Sequence, residues 1–425
     1  MTDRRLRHAA ARIGRMVFVR RTPAQTVPRD RATVPADLVG GPRIRHDPAL
    51  DARPSLVVLM PHLAVGRMTG GPNTVFHITE RLAARGMSVR YVACFGPLDE
   101  DVAPLSRHIE AVTGIASAGG IRFLHRSAPD SELTVGRHDV MLATWWPTAH
   151  VADRARAVTG MDEFVYLIQD FEPGFHPWST KYALAAATYR MAFRAIVNEP
   201  TLLEHLSRHG DLVFDVHDPD RAVSFMPAVD RSVFKHRHRS SGARRFVFYA
   251  RPKHPRNLFD LGLRALSDAV DHGAFDGAEW DFVAIGGETR TLPLPRGRAV
   301  RPISRLAYRD YATFLADSDI LLSLMLSPHT SYPPLEMATA GGVVITNTFS
   351  TKTAADLAAI SPAIRGAPPD VDHLSAAIAQ AASEVSRRRP EPLATSLPGS
   401  WDESMDAVVP WLEATIASAR VRSSS

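Results

Sequence analysis

Short apolar runs recur along the chain, each followed by a loop rich in Gly or Pro and then by apolar residues at helical spacing. The first run, Leu-Val-Val-Leu-Met within 55–60, is unbroken. Such a run suits a parallel strand buried on both faces. Gly70, Gly71 and Pro72 then read as a loop, and a helix is expected over 74–84, stopping at Gly86. Strands are expected at 88–93, 139–143, 164–168 and 194–197. A Pro-containing segment, 223–230, and a charged run, 235–245, interrupt the pattern. It restarts with a strand at 245–250, a helix over 258–269, and strands at 281–285 and 319–324. A last helix begins near Pro333. Two successive runs of strand–helix alternation predict an α/β protein with two Rossmann-like domains and mainly parallel sheets. The divisions read as a basic tail, 1–53, an N-terminal domain, 54–235, a C-terminal domain, 240–400, and a final segment, 401–425.

At 425 residues, with 45% hydrophobic and 22% charged positions, the chain has ample material for two cores and is not a disordered polymer. Cys94 is the single cysteine, which excludes an internal disulfide framework or a cysteine-based zinc cluster. No apolar run approaches the ~18 residues of a membrane span, and none follows the basic N-terminus as a secretory core would. These features fit a cytoplasmic protein.

The net charge of +5 is unevenly placed. Residues 1–53 hold twelve arginines and five aspartates, so the body is close to neutral. That argues against a nucleic-acid-binding body, which would keep its charge on a folded face. Leu6, Ala9, Ala10, Ile13, Met16 and Val17 share one helical face, with arginines on the rest. Two readings stay open: an anchor to an anionic membrane surface through residues 1–50, hence a peripheral position at the inner face of the membrane, or an arm without a partner.

Ligands of open parallel sheets bind beyond the carboxyl ends of the strands, so the loops there carry the candidate chemistry. The loop 250–257 holds Arg251, Lys253 and Arg256, stiffened by two prolines. Guanidinium forks match phosphate oxygens, so it suits a phosphate or diphosphate. The ordinary alternative is a solvated basic turn. The stretch 327–338, Ser-Pro-His-Thr-Ser-Tyr-Pro-Pro-Leu-Glu-Met-Ala, starts a helix with paired prolines. The N–H groups of Ser331 and Tyr332 are then expected at its positive end, and Glu336 can accept hydrogen bonds from ligand hydroxyls or merely complement the dipole. Gly70 and Gly71 make a tight turn. Asp170 and Glu172 stand among aromatics in 166–178, where carboxylates bind sugar hydroxyls and rings stack on sugars; an exposed loop is the alternative. Asp218-Pro-Asp220 and Asp317-Ser-Asp319 spell DxD in the wrong context for a metal site, and the eighteen histidines form no HExxH.

The collinear order resembles glycosyltransferase family 4, of GT-B fold. It runs from the Gly-Gly turn, through Met-Pro-Ala-Val-Asp with Phe234 and Arg251-x4-Arg256, to Gly286-Gly287, Pro-Pro-Leu-Glu336 and Gly341-Gly-Val-Val-Ile. The loops at 168–173, 251–257 and 327–337 are similar to those of its rhamnosyltransferases of cell-surface glycan synthesis. The resemblance covers roughly 54–410. It implies transfer of a sugar from a nucleotide-sugar donor to a saccharide or lipid-linked glycan acceptor, with retention and no metal or cofactor. It gives Arg251 and Arg256 the donor diphosphate, with Lys253, Gly286, Gly287, Ser331 and Tyr332 alongside. Glu336 takes the second glutamate of E-x7-E, on the ribose. Trp401 falls where the chain crosses back to the first domain. Gly70, Gly71, Trp145, Asp170 and Glu172 fall to the acceptor side, with Asp170 as candidate base. Two departures stand out: Pro328 replaces the first glutamate and Thr144 the usual histidine, beside Trp145 and Trp146. Losing both partners of a hexose is compatible with a 6-deoxy sugar such as rhamnose from its deoxythymidine-diphosphate carrier. A GT-B-like epimerase or hydrolase, or a non-enzymatic glycan- or lipid-binding protein, remain the alternatives.

Overall fold

The computed structural model describes residues 39–68, 70–96, 98–116, 121–125, 132–209, 211–212, 214–236, 242–288 and 290–423. The basic helix expected over residues 4–17 lies outside them. The first half runs β1 (Arg43–His46), α1 (Pro48–Asp51), β2 (Leu56–Met60), α2 (Gly70–Ala84), β3 (Val89–Ala93), α3 (Ala103–Thr113), β4 (Ile121–His125), β5 (Glu132–Val135), β6 (Val140–Ala143), α4 (Trp146–Thr159), β7 (Phe164–Ile168), α5 (Thr180–Thr188), β8 (Phe193–Asn198), α6 (Pro200–Arg208) and β9 (Ala222–Phe225). The second half adds β10 (Arg244–Tyr249), α7 (Phe259–Asp271), β11 (Trp280–Ile285), β12 (Leu292–Pro293), β13 (Ala299–Pro302), α8 (Tyr308–Ala316), β14 (Ile320–Leu322), α9 (Tyr332–Thr339), β15 (Val343–Asn347), α10 (Ala354–Ile360), β16 (Ile364–Ala367), α11 (Val371–Arg387), α12 (Trp401–Met405) and α13 (Val408–Ser423).

Two seven-stranded sheets result, in the orders β4-β3-β2-β6-β7-β8-β9 and β12-β13-β11-β10-β14-β15-β16. Every ladder is parallel except β12 with β13. The unbroken apolar runs follow from burial on both faces. In β2, Leu56, Val58 and Met60 enter one core while Val57 and Leu59 enter the other. In the second sheet Phe246 and Phe248 face one core and Val247 the opposite one. This is the GT-B architecture of two Rossmann-like domains.

Two expectations change. Residues 43–51 are not tail: β1 lies parallel to β5, and His46 contacts the Asp51 carboxylate at 2.9 Å. Alternation of exposed and half-buried positions in Arg43–His46 is a weak signal for a two-stranded edge, which explains why the sequence pattern missed it. Gly70 and Gly71 form no loop before α2; they are its first two residues. The final segment packs on the first domain: Met405, Val408, Val409, Leu412 and Ile416 complete the core under β2 and α2, and Ser404 Oγ donates to the Met226 carbonyl at 2.5 Å.

Strand order reverses between β2 and β6 in one sheet and between β10 and β14 in the other, the places where such sheets open a crevice. The loops after β7 and β8 there meet the loops after β10, β14 and β15.

Candidate functional site

On the C-terminal side, Glu336 sits in the second turn of α9, half-buried. Tyr311 Oη donates to its Oε2 at 2.9 Å. Burial pushes the carboxyl up to about 7, with the Tyr311 bond opposing. Its charge acts on Tyr249, Tyr308 and Tyr311, raising all three phenols, whose main perturbation is burial. Arg251 joins this group from the loop after β10, its guanidinium 5.9 Å from the Tyr249 ring and donating to His254 Nε2 at 2.8 Å. Gly286 packs on the same two side chains: a Cβ there would lie 3.0 Å from Tyr249 and 3.1 Å from Arg251. Gly286 and Gly287 take φ of +101° and +132°, conformations that need glycine. Arg251, Gly286 and Glu336 thus gather around Tyr249, with Gly287 next in the chain. Lys253 is exposed on the same loop.

Arg256 belongs to a second cluster. The loop 250–257 is sewn to the loop after β14, because Leu326 N donates to Arg256 O at 2.7 Å and Asn257 Nδ2 donates to Leu324 O at 3.0 Å. This directs the Arg256 guanidinium across the crevice, 4.5 Å from the Phe175 ring centroid and paired with Asp170. Burial holds its pKa down at about 10, still fully protonated at neutral pH. Ser327 Oγ also donates to Asp170, and His329 Nε2 stands 3.3 Å from it. The other His329 nitrogen faces Glu199 at 3.5 Å, and Thr330 N donates to Glu199 Oε2 at 2.8 Å. Lys352, 1% exposed, donates to the Met325 carbonyl at 2.9 Å; burial pushes it down to about 7.

The anion site expected at the start of α9 is reduced. Ser331 N donates to its neighbour His329 Nδ1 at 3.2 Å, Pro333 and Pro334 carry no N–H, and Thr330 N is taken by Glu199. Of the predicted pair, only the Tyr332 amide is left for a ligand. Ser331 holds φ +77°, a left-handed conformation that is strained for a residue with a Cβ. The Tyr332 ring lies against Gly70, where a Cβ would come within 2.8 Å of it. Thr74 Oγ1 donates to Gly70 O at 3.0 Å and therefore accepts from Tyr332 Oη.

The acceptor residues divide. Asp170 reaches the crevice but is 5% exposed and occupied by Arg256, Ser327 and His329, so it is a cross-domain link and not a free base. Glu172 is a correction: it faces the domain interior at 3% exposure, accepting from Tyr166 Oη at 2.7 Å. Burial raises it to about 8, so it supports the fold beneath the loop and cannot line an acceptor lip. Gly71 lies beside Gln169, 3.7 Å from its amide for a hypothetical Cβ. Trp145 is half-buried, edge-on to Phe95 with centroids 6.1 Å apart. Thr144 is buried, and its hydroxyl is satisfied by the Leu59 carbonyl at 2.8 Å. Both DxD spellings are structural. Asp319 pairs with Arg389 at 2.8 Å, and the Asp218 side chain turns back onto Asp220 N at 2.9 Å.

Glu199, His329, Lys352, Tyr249 and Tyr311 were missed. Glu199-Pro200 directly after a strand was a readable helix start. His329 lay inside a stretch already singled out. Lys352 and the two tyrosines have no local signal, since only tertiary packing brings them in. Among the described residues no group of His, Cys, Asp and Glu is set to hold a metal ion, and no helix is long and apolar enough to cross a membrane.

The chain is 34% identical over 296 residues to the O-antigen biosynthesis protein RfbC of Myxococcus xanthus. The match takes in 67% of this chain but only 21% of that protein, so the chain spans about a fifth of the relative's length. Anabaena HepE in complex with UDP superposes with a TM-score of 0.52 at 13% identity, over 86% of this chain and all of that one. Its complex with UDP-glucose gives 0.52 at 12% identity, over 87% and 98%. Those likenesses show a shared fold. Residues 55–198 match the family model described as WsaF, N-terminal domain, and residues 244–379 that described as WsaF, C-terminal domain. Together they take in two-thirds of the sequence, and the chain therefore carries both domains of the WsaF family, one on each sheet of its GT-B fold.

Proposed function

We propose that this protein is a glycosyltransferase of family 4 type that transfers L-rhamnose from a deoxythymidine-diphosphate carrier to a saccharide acceptor in cell-surface glycan synthesis, with retention and without a metal. The observation that carries it is Glu336. A carboxylate tuned to about 7 in a cradle of tyrosines, beside Arg251 and two positive-φ glycines, is built to accept hydroxyl protons next to an anion. On this reading Glu336 holds the ribose, and Arg251 and the Gly286-Gly287 turn hold the diphosphate. Arg256 neutralises charge developing on the leaving group once Asp170 releases it, an electrostatic contribution in a water-poor crevice. Trp145 and Asp170 remain the acceptor-side candidates.

Three facts support the finer claims. The WsaF domain matches and the O-antigen biosynthesis protein point toward cell-surface glycans. The Pro328 side chain offers a sugar no hydrogen-bonding group, and the Thr144 hydroxyl is spent on Leu59. A pocket lacking those partners carries no penalty for a 6-methyl group, whereas a site built to bind a hydroxyl rejects an analogue lacking it. Residues 1–38, with nine arginines and three aspartates, are proposed to dock on anionic lipid; deleting them should abolish binding to anionic vesicles.

The test is competition among rhamnose-, glucose- and mannose-nucleotides under one set of conditions. The rhamnose donor should win on kcat/KM. A glucose or mannose donor winning would refute the donor assignment. Turnover of donor with no acceptor requirement would refute transfer and favour a hydrolase or epimerase.

A further inference from the structure

Glu199 and Ser331 face each other's segments across the crevice, and both are strained. Glu199 starts α6 at φ +73° and Ser331 starts α9 at φ +77°. An acidic residue at a helix start ordinarily turns its carboxylate back onto its own first-turn N–H groups. Glu199 makes no such bond. It is 1% exposed, and its Oε2 accepts from Thr330 N at 2.8 Å while its Oε1 faces His329 Nδ1 at 3.5 Å. His329 in turn accepts from Ser331 N at 3.2 Å. Thr330 is also 1% exposed, yet its hydroxyl has no hydrogen-bond partner. The loop 327–331 is thus tied, through its Thr330 backbone amide, to one carboxylate of the other domain. Around that carboxylate lie Lys352 from the turn after β15, the Tyr332 phenol, and His329, which stands between Glu199 and Asp170; the Arg256 charge from the loop after β10 acts on Lys352 and His329.

We propose that Glu199 is a positioning residue through which the N-terminal domain builds the donor-side loop 327–331. Ser331 is kept in its left-handed conformation only while Glu199 holds Thr330, so the site is completed when the domains meet. A strained segment persists only where its surroundings over-determine it, and here one surrounding group comes from the opposite domain. The consequence rests on the reading that the donor lies between Gly286 and Glu336. Sugar-nucleotide binding and domain closure are then linked through Glu199, which itself touches no substrate.

The full chain is tested in three forms: wild type, Glu199→Gly and Glu199→Gln. Glycine adopts the positive φ without strain, so Glu199→Gly removes the carboxylate while favouring the local backbone. Glutamine keeps an oxygen that can accept from Thr330. Hydrogen exchange of the amides over 327–332 should quicken about tenfold or more in Glu199→Gly, as expected for loss of a bond to a charged group, and return toward wild type in Glu199→Gln. The donor KM should rise about tenfold in the glycine variant with kcat changed less. Unchanged exchange in Glu199→Gly overturns the inference, even if nucleotide binding by the wild type stands. Failure of the wild type to bind deoxythymidine or uridine diphosphate overturns the transferase reading instead, and exchange still decides the role of Glu199.

Discussion

The Arg256 guanidinium, carried by the C-terminal domain, is ion-paired with the Asp170 carboxylate of the N-terminal domain. Both side chains are largely withdrawn from water, where a lone charge is costly. On the proposed reading, the cation that would meet the donor diphosphate is neutralised by an anion of the other domain, and a diphosphate would have to compete for it.

Arg256→Ala should lower kcat/KM about 30- to 1,000-fold, the range for removing one transition-state electrostatic partner. Asp170→Asn should act differently. It frees Arg256, so nucleotide affinity by calorimetry should hold or tighten while turnover falls. Weaker nucleotide binding in Asp170→Asn would contradict the competition.

Gly70→Ala sets helix propensity against closure. Alanine is favoured over glycine within a helix, but its Cβ would come 2.8 Å from the Tyr332 ring. Thermal stability should change little, while transfer activity falls by an order of magnitude. A variant with wild-type rates would show that Tyr332 need not approach α2 during turnover.

Glu336 gives a pH signature. Its pKa of about 7 is raised by burial, so it is half-protonated near neutrality. The ionised form accepts hydroxyl protons better, and donor KM should climb as pH drops below 7. Glu336→Gln should flatten that dependence and raise KM at pH 8. A profile in the wild type that is flat from pH 6 to 8 would refute the role.

His77 ties the returning C-terminal segment to α2. The Trp401 ring stacks on it with centroids 3.9 Å apart and planes 9° apart. Burial, reinforced by the Arg81 charge, depresses its pKa to about 3. A base depressed from its ordinary 6.5 contributes stability that is whole above pH 6.5 and is lost as pH falls from there toward 3. The loss by pH 5 should be about 2 kcal/mol, at 1.4 kcal/mol per pH unit. His77→Phe should remove that part of the acid sensitivity in melting curves at pH 7.5 and 5.

Local pattern was enough for the inner strands β2, β3, β6, β7 and β8 of one sheet and β10, β11 and β14 of the other, and for the position of Glu336 near the start of its helix. A strand buried on both faces must read as a continuous apolar run, and Phe164–Ile168 does so residue for residue. A proline pair at a helix start places the residue that follows two positions later, so Glu336 could be located before any tertiary contact was known. The loops were legible only as locations. Asp170 and Glu172 are two apart in one strand-end loop, with the same charge and similar aromatic neighbours, yet one meets Arg256 across the crevice and the other is buried under Tyr166. Sequence spacing cannot separate them, because beyond the last ladder residue the direction of a side chain is no longer set by the strand's period of two. It is set by what the other domain presents. For the same reason the cross-domain role of Glu199 and the burial of Lys352 were invisible: each is defined by a partner more than a hundred residues away or by burial between elements, and only the packing of the two domains brings those partners within reach.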